Sequence, residues 1–548
     1  MSGSRGRSIP HGGFGICGAA NQDRSHLAPV PESPRDMKCD LPTPRTVPAR
    51  AVKLTWLIGV ATFVAYAYFY SGGGWNQNTR FDLIRAIIER RTLSIDAYQL
   101  NTGDKSIHDG RYYCDKAPGQ PLMAVPVAMA TRTAQQALGS NPSSAASVVA
   151  LSYLCTLFTA ALPTALACAC LFWIALRLGA STRAAAFAAF AMGLGSPMWA
   201  YATLLWAHAL AGACLLFAFA AALNLDGVES GRDVFWGFVV GVAAGWAMVT
   251  EYPAAPASAI LAWFAVDRVW NSGRSRRLRV ACGVMMGAVF CVLALMLYLR
   301  AAFGSAFHTS YHYEVGTFAV NGQGFIGLKY PRIDVAFRLL FGSKRGLFYL
   351  APVLTFAPFG MWLLWRQLQD RAATLAAASV FLYYWLFNAS YGEWSGGWSY
   401  GPRYMAAGIP LLCVGLAPVW DYFSKSGRAI LLALLAVSVL FSLIAVATTP
   451  QPPFDYRSPM TQLLWPSFWN GNLALEHTSM LAPFDSDPGG SHGALNLGQL
   501  LGLRGLTSLL PLFAFWGMTV LAWARFAGRA RKQQAPWLGD VECSRRWQ

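Results

Sequence analysis

Charged side chains are scarce in this chain of 548 residues, since Asp, Glu, Lys and Arg together make up 13% of it. The sequence also lacks a Walker-type phosphate loop, a dinucleotide-binding glycine fingerprint and a spaced pair of zinc ligands. The scarcity of charge excludes a soluble globular fold. The missing motifs argue against chemistry that is driven by a soluble nucleotide.

Apolar residues dominate the chain instead. They make up 55% of the chain and recur in runs of about 20 residues, the length that an α-helix needs to cross a bilayer. The composition predicts an all-α polytopic membrane protein with about 11 to 13 transmembrane helices. The net charge of +17 lies mainly between the spans and in the tails, which indicates orientation in the bilayer rather than binding of nucleic acid.

Basic clusters such as Arg274 to Arg279 predict which connections face the cytoplasm. The sequence predicts a disordered cytoplasmic tail over residues 1–50, a transmembrane domain over residues 51–527 and a basic cytoplasmic tail over residues 528–548. Four long connections then fall on the extracytoplasmic side, which we expect to be the active face: 71–118, 301–345, 390–404 and 450–506.

Two features of the first part of the chain need separate comment. The Pro-rich stretch 118–134 fits a short span, a re-entrant piece or an interfacial helix, and the charge pattern does not decide among them. Cys114 is the one cysteine predicted to lie in an extracytoplasmic loop, so we expect no disulfide on that side.

The segment 79–91 has the pattern of a surface helix. Its apolar residues recur on one side, while Asp82, Arg85 and Glu89 fall on the other. This pattern predicts a helix that lies along the membrane surface within the first external loop.

The first external loop ends in a chemically dense element that leads into the next hydrophobic stretch. Its sequence is Asp109-Gly110-Arg111-Tyr112-Tyr113-Cys114-Asp115-Lys116-Ala117-Pro118. With the first span and the amphipathic helix before it, this element resembles the GT-C superfamily of integral membrane glycosyltransferases. The similarity is nearest to transferases of lipid-linked sugars of the aminoarabinose-transferase and protein O-mannosyltransferase type, as in glycosyltransferase family 39. It is close over residues 52–135 and diffuse in the later spans.

The resemblance implies a GT-C-like fold and an inverting glycosyltransferase. Such an enzyme lies in the bacterial inner membrane and moves a sugar from a polyprenyl-phosphate donor to an envelope lipid, glycan or protein on the extracytoplasmic face. It needs a base for the acceptor proton and cations for the leaving phosphate. Two other classes stay open: a transporter or flippase, although the two halves of the chain do not match, and a scaffold for envelope assembly.

The family's catalytic acid lies at the start of the juxtamembrane helix, where this sequence has Gln77 and Asn78. Asp82, one turn later, is the nearest substitute and is the predicted base. The alternative is structural, because Thr79 and Asp82 have the spacing of a capping box. Other acids of the loop are also candidates: Asp96, Asp104 and Asp115.

Three cations are candidates for binding the donor phosphate. Lys116 matches the family's lysine and would meet the phosphate as a point charge, with its neighbour Asp115 orienting it. Arg80 lies in the juxtamembrane helix, and Arg403 lies at the mouth of a later span. Tyr112, in the same dense element as Lys116, is a further candidate.

The family also carries an acid after a span with a Ser-Pro pair, but here the corresponding position falls near His208. This histidine is either a structural hydrogen-bonding residue or a second base or phosphate ligand. The departure puts family-type metal binding in question, so no cofactor is firmly predicted and a divalent metal stays open. Glu251 is either a residue of a tight hairpin or a buried acid with a function.

The segment 391–404 is the second chemically dense region. Glu393, Trp394 and Arg403 accompany glycines there, which predicts contact with a sugar or phosphate; the alternative is a glycine-rich turn in an aromatic belt. Lys344 and Arg345 predict an anchor at the membrane surface. The sequence predicts neither the sugar nor the acceptor.

Overall fold

The computed structural model describes residues 49–226, 230–315, 327–367, 370–475, 479–481 and 493–531. The predicted N-terminal tail therefore lies outside the described residues apart from its last two positions. So do most of the C-terminal tail and parts of the predicted loops 301–345 and 450–506.

The helices of the first half of the chain are α1 (Ala49–Ala67), α2 (Trp75–Arg85), α3 (Gly119–Ala137), α4 (Ala145–Thr156), α5 (Leu162–Arg177), α6 (Thr182–Gly193), α7 (Met198–Ala202), α8 (Ala207–Leu223), α9 (Asp233–Thr250), α10 (Ala255–Asp267) and α11 (Arg274–Phe303). Those of the second half are α12 (Ile333–Phe341), α13 (Leu347–Leu350), α14 (Ala357–Gln367), α15 (Arg371–Ser390), α16 (Ile409–Leu412), α17 (Leu416–Tyr422), α18 (Lys425–Thr448), α19 (Trp465–Trp469), α20 (Leu497–Leu500) and α21 (Leu510–Arg531). Four short strands accompany them: β1 (Phe69–Tyr70), β2 (Ser106–His108), β3 (Arg111–Tyr113) and β4 (Leu495–Asn496).

The predicted class, an all-α multi-pass membrane protein, is confirmed. Within the described residues, seven helical stretches are long and apolar enough to cross a membrane, and two shorter apolar helices, Ala51–Ala67 and Ala207–Leu223, accompany them. Other predicted spans are interrupted. The apolar stretch 183–202, which has the length expected of a span, divides into α6 and α7 around Ser196 and Pro197, since a proline disfavours helical geometry in the residue before it.

Small residues bring α9 and α11 together. Gly237 and Gly241 on α9 face Gly283 and Gly287 on α11, each pair four residues apart. A Cβ atom at Gly241 would overlap the carbonyl oxygen of Val284, so the backbones approach more closely than side chains would allow. This packing fixes the position of α9, whose C-terminal end carries Glu251.

The predicted external loops contact one another. The β2–β3 hairpin of the first loop bridges to the 301–345 loop through Ser106 and Glu314. Strand β1 pairs with β4 of the 450–506 loop. The side-chain amide of Asn78 donates to the carbonyl oxygens of Asn101 and Ser479, at 2.8 and 3.0 Å. Loops that are far apart in sequence therefore share one surface.

Helix α2 differs from the surface helix predicted over residues 79–91, both in where it starts and in where it lies. The prediction that Asp82 lies on an exposed polar face is wrong, because Asp82 is 0% exposed. Helix α2 packs inside the protein, against α3 and the loop residues that bind Asn78. The capping-box alternative is also wrong. The helix begins at Trp75 after the N-cap residue Gly74, so Thr79 and Asp82 lie in its interior.

Two other helices bear on the predicted loops. The Pro-rich stretch forms the continuous helix α3, which keeps Pro126 in its interior and is not among the seven stretches with the length and apolarity of a span. Helix α12, in the 301–345 loop, exposes a row of apolar side chains one turn apart, Ile333, Phe337 and Phe341. Such a face is typical of an interfacial helix, the kind expected in these loops.

Candidate active site

Lys116 lies between two carboxylates just before α3. Its Nζ atom is 3.1 Å from Oδ2 of Asp104 and also contacts Oδ2 of Asp115. Both acids are buried, and the side chain of Lys116 is 11% exposed. The expected ion pair with Asp115 is present. Asp104, which lies just before β2, forms a second ion pair with Lys116.

Burial and charge compete at these residues. Burial opposes the charge on Lys116, but Asp104 and Asp115 outweigh it and raise the lysine's pKa above its ordinary value. Burial raises the pKa of Asp115 to about 6, although Lys116 acts in the opposite direction. Burial likewise raises the pKa of the Cys114 thiol to about 11, so this cysteine stays protonated at neutral pH.

Arg80 reaches the same region from α2. It is 4% exposed, and its Nη1 atom donates to the carbonyl oxygen of Asn76 at 3.0 Å. Its guanidinium interacts electrostatically with Asp115 and Glu251, and burial lowers its pKa from the usual arginine value. Within the described residues its buried Nε atom has no hydrogen-bond partner, so it retains donor capacity.

Arg403 opens the helical stretch that runs to Tyr422. Its guanidinium carbon lies 5.1 Å from the ring centre of Trp206 and 4.8 Å from that of Tyr404. It also interacts electrostatically with Asp104. In the part of the chain that the structure describes, its buried Nε atom has no hydrogen-bond partner. Aromatic rings thus orient a cation that can still donate.

His208 and Glu251 form a buried pair. Nδ1 of His208 lies 2.8 Å from Oε1 of Glu251, and the two residues are 6% and 8% exposed. The two alternatives for Glu251 prove compatible, because it lies at the break after α9 and is also buried. His208 is not a lone histidine, since it interacts with Arg80 and Arg403 as well.

These contacts link the groups into one charged cluster. Lys116 contacts Asp104 and Asp115. Longer-range electrostatic interactions connect them with Arg80, the Glu251–His208 pair and Arg403. The members come from the segment between α2 and α3, from α2 itself, the start of α8, the end of α9 and the start of the 403–422 stretch. Several lie where apolar helices end, so the cluster lies at the edge of the helix bundle. We call these residues the charged cluster: Arg80, Asp104, Asp115, Lys116, His208, Glu251 and Arg403.

Four other candidate residues, Asp96, Tyr112, Glu393 and Trp394, have different surroundings. Asp96 is exposed, and its Oδ1 accepts the backbone N–H of Tyr112, which is half-buried, at 2.7 Å. Glu393 is exposed and accepts from Oγ of Ser395 at 2.6 Å. Trp394 is half-buried and packs on the hydrophobic core. The contacts of these residues indicate roles in shaping the loops.

The predicted base, Asp82, has surroundings unlike those of the cluster. Its Oδ1 atom accepts from Nδ2 of Asn101 at 3.1 Å, and among the described residues its Oδ2 atom has no hydrogen-bond partner. Burial raises the pKa of this carboxyl well above its usual value, with Arg85 and Lys105 acting weakly in the other direction. A carboxyl that holds its proton is a poor base, so these contacts do not support the catalytic role predicted for Asp82.

We expect Asp82→Asn to preserve sugar transfer and to stabilise the protein at neutral pH. The folded-state pKa lies above the unfolded one, so the contribution of Asp82 is fully present below about pH 4 and is lost as pH rises; each pH unit between the two values costs about 1.4 kcal/mol. Thermal unfolding in detergent should favour the variant at pH 7 and show little difference at pH 4. Loss of transfer in this variant would restore Asp82 as the base.

The sequence-based prediction for Arg345 is wrong. This arginine is 1% exposed rather than anchored at a membrane surface. Its Nε atom donates to the carbonyl oxygen of Ser395 at 2.8 Å and its Nη2 atom to that of Gly397 at 2.5 Å. It therefore holds the glycine-rich loop that precedes Arg403. No sequence pattern predicts this contact, because it joins segments about fifty residues apart.

A divalent metal does not fit the charged cluster. Across the described ranges, no group of three or more His, Cys, Asp or Glu side chains could hold a metal ion. Asp104 and Asp115, the closest acids to the expected site, already share the ammonium group of Lys116.

Comparison with known proteins gives structural likeness alone. No protein-family model and no curated protein matches the chain. Among solved structures, it is similar to ArnT from Cupriavidus metallidurans bound to undecaprenyl phosphate, with 18% identity and a TM-score of 0.46. It is also similar to the apo state of that protein, with 18% identity and a TM-score of 0.47. Both alignments cover 72% of this chain, which spans 64% of the length of ArnT.

Proposed function

We propose that this chain is a membrane glycosyltransferase of the GT-C type, which moves a sugar from a polyprenyl-phosphate donor to an envelope acceptor on the extracytoplasmic face. The observation that carries the proposal is the charged cluster. Its three cations, Lys116, Arg80 and Arg403, come from separate segments. They lie at the edge of an apolar bundle, where a phosphate on a lipid chain would be presented. The sequence resemblance over residues 52–135 supports the same class.

In an inverting transfer, the acceptor oxygen attacks the anomeric carbon from the side opposite the phosphate. The bond from this carbon to the phosphate oxygen breaks, and the polyprenyl phosphate leaves with its electron pair. Lys116, Arg80 and Arg403 would stabilise the charge that develops on it. The Nε atoms of the two arginines, which have no hydrogen-bond partner among the described residues, are available for this purpose.

Entry of a phosphate changes the charge balance around Lys116. The ammonium group is already paired with Asp104 and Asp115, so the phosphate competes with them. Because the pKa of Asp115 is raised to about 6, this carboxyl takes up a proton at small cost when another anion arrives. Lys116 would then pair with the ionised carboxylate of Asp115 when the site is empty, and with the donor phosphate when the donor is bound.

The proposal is tested with purified protein in lipid nanodiscs. Undecaprenyl phosphates that carry radiolabelled hexose, pentose or aminopentose are supplied with a bacterial envelope extract, and transfer of label to the extract is expected. Arg403→Ala should weaken donor binding by about ten- to a hundredfold, the loss of one charged hydrogen-bond donor. Arg332→Ala, which removes an exposed arginine of another external loop, is the matched control.

Two results would contradict the proposed function. One is no transfer from any of these donors, together with movement of the labelled lipid between leaflets, which would assign the chain to the transporters. The other is equal donor binding by the Arg403 and Arg332 variants, which would remove Arg403 from the phosphate site.

A further inference from the structure

The His208–Glu251 pair lies at two interruptions of the helical bundle. His208 is the second residue of α8, directly after the extended N-cap residue Trp206 and Ala207. Glu251 has extended backbone angles, with φ −152° and ψ 108°, between α9 and the single turn Tyr252–Ala254. Irregular backbone at the edge of a membrane bundle is tolerated where it lines a cavity or is buried in protein.

Close packing holds this break in place. A Cβ atom at Gly119 would lie 2.6 Å from the backbone nitrogen of Thr250, so the start of α3 touches the residue before Glu251. The hydroxyl of Tyr383 donates to the carbonyl oxygen of Pro253 at 2.6 Å on the other side. The backbone on both sides of Glu251 is therefore held by its neighbours, and this places the side chain beside His208.

The hydrogen bond joins Nδ1 of His208 to the side chain of Glu251. With an ionised carboxylate, which only accepts, Nδ1 carries the hydrogen that points to Glu251, and Nε2 keeps its lone pair. This is the arrangement in which a carboxylate orients a histidine that acts as a base. The rings of Tyr201, Trp206 and Tyr404 surround the imidazole, with centroids 5.8, 6.0 and 6.2 Å away.

The Oε2 atom of Glu251 is buried and, among the described residues, has no hydrogen-bond partner. The guanidiniums of Arg80 and Arg403 lie in electrostatic range of the pair. The pair thus combines an unsatisfied buried acceptor with two cations that suit a phosphate, which indicates a site for a polar ligand.

We propose that His208 is the general base of the transfer, that Glu251 is its positioning residue, and that the acceptor presents a hydroxyl group. This inference rests on the proposed glycosyltransferase function. Nε2 of His208 takes the hydroxyl proton while the acceptor oxygen bonds to the anomeric carbon. The bond from that carbon to the phosphate oxygen breaks, and the electron pair leaves with the polyprenyl phosphate.

The presence of a base distinguishes two kinds of acceptor. A hydroxyl is a weak nucleophile until a base removes its proton. A phosphate oxygen is already ionised at neutral pH and needs no base. An oriented imidazole beside the phosphate-binding cations therefore favours an alcohol acceptor, such as a sugar or a serine or threonine side chain, over a phosphate monoester.

The test compares Glu251→Gln and His208→Asn with Asp334→Asn, which alters an exposed carboxylate of α12. Both cluster variants should lower kcat by at least about a hundredfold, the usual contribution of a general base. Their binding of undecaprenyl phosphate, measured by tryptophan fluorescence, should stay close to that of the unmodified protein. His208→Asn keeps a donor for Glu251, so its thermal midpoint separates loss of the base from loss of the fold.

The nature of the product tests the acceptor class. A sugar joined to a hydroxyl survives mild acid, whereas a sugar joined to a phosphate is released. Acid-stable label supports the inference, and acid-labile label overturns it. Transfer at the normal rate by Glu251→Gln and His208→Asn would also overturn it while leaving the glycosyltransferase function intact. Absence of transfer by the unmodified protein would instead contradict the function itself.

Discussion

Replacement of Lys116 by alanine is expected to lower the rate of sugar transfer by about a hundred- to a thousandfold, the loss that follows removal of one stabiliser of a developing anion. Lys116 lies between Asp104 and Asp115, three residues before the start of α3. Its ammonium group would meet the charge that grows on the phosphate as the bond to the sugar breaks. Steady-state kinetics with a labelled donor measure this as a fall in kcat larger than any change in the KM for the acceptor.

The alanine variant also leaves two buried carboxylates without their shared counter-ion, which itself destabilises the fold. The double variant Asp104→Asn with Lys116→Ala removes one of these charges. It should recover much of the lost thermal stability and none of the lost activity. Lys105→Ala is the matched control, since Lys105 belongs to the same loop and donates to the carbonyl oxygen of Gln99 at 3.1 Å. Recovery of transfer in the double variant would reduce Lys116 to an ion-pair partner.

The sequence predicted the part of this site that is local. Asp115 and Lys116 are neighbours, and the element that contains them follows the first span directly. Asp109 and Gly110 have φ values of 49° and 74°, the conformation of a two-residue hairpin turn, and the Asp-Gly pair is typical of that turn. The pairing of Asp104 with Lys116 follows from the register of that hairpin, in which Ser106 pairs with Tyr113 and Asp104 falls opposite Asp115. The place where the hairpin docks rests on contacts such as Ser106 with Glu314, which no local pattern predicts.

The His208–Glu251 pair could not be assembled from the sequence for a different reason. Helix α8 is buried nearly all round, so its apolar residues show no preferred face and the direction of His208 is undetermined. Glu251 was recognisable as unusual, but the two residues meet only because α8 and α9 pack together.

The error at α2 has the opposite cause. Asn76, Gln77 and Asn78 suggest a solvated helix start, yet they are buried by hydrogen bonds to distant loops. The side-chain amide of Asn78 binds the carbonyl of Ser479, and that of Gln77 accepts from the backbone of Leu205. A run of polar residues indicates exposure to solvent only when no buried hydrogen-bond partner is available. Here the partners are more than a hundred residues away in the sequence.

Arg345 is a second residue for which a large effect is expected, because it holds the loop that precedes Arg403. Burial lowers its pKa to about 10, so it remains charged at neutral pH. It donates to the carbonyl oxygens of Lys344, Ser395 and Gly397. A hydrogen bond from a charged donor contributes about 1.5–3 kcal/mol. We expect Arg345→Met to lower the free energy of unfolding by about 3 kcal/mol, since three carbonyls lose one donor group.

The same variant should also impair donor binding, although Arg345 lies one loop away from the charged cluster. Gly396, in the turn that Arg345 holds, packs so closely on Arg403 that a Cβ atom there would lie 3.0 Å from the arginine Cγ. When the turn relaxes, the guanidinium of Arg403 loses its place over Trp206 and Tyr404. Affinity for undecaprenyl phosphate should then fall about tenfold or more, as for a lost charged contact.

Two further variants separate the role of Arg345 from a general effect of charge. Lys344→Met removes the adjacent, half-exposed cation and should leave unfolding and donor binding nearly unchanged. Arg345→Lys keeps the charge but lacks the planar fork, so it should recover only part of the stability. If Arg345→Met unfolds like the unmodified protein and binds the donor equally well, the loop is held by its glycine turns and aromatic packing alone. A stable Arg345→Met protein with weakened donor binding would show that Arg345 acts on the site through the placement of Arg403.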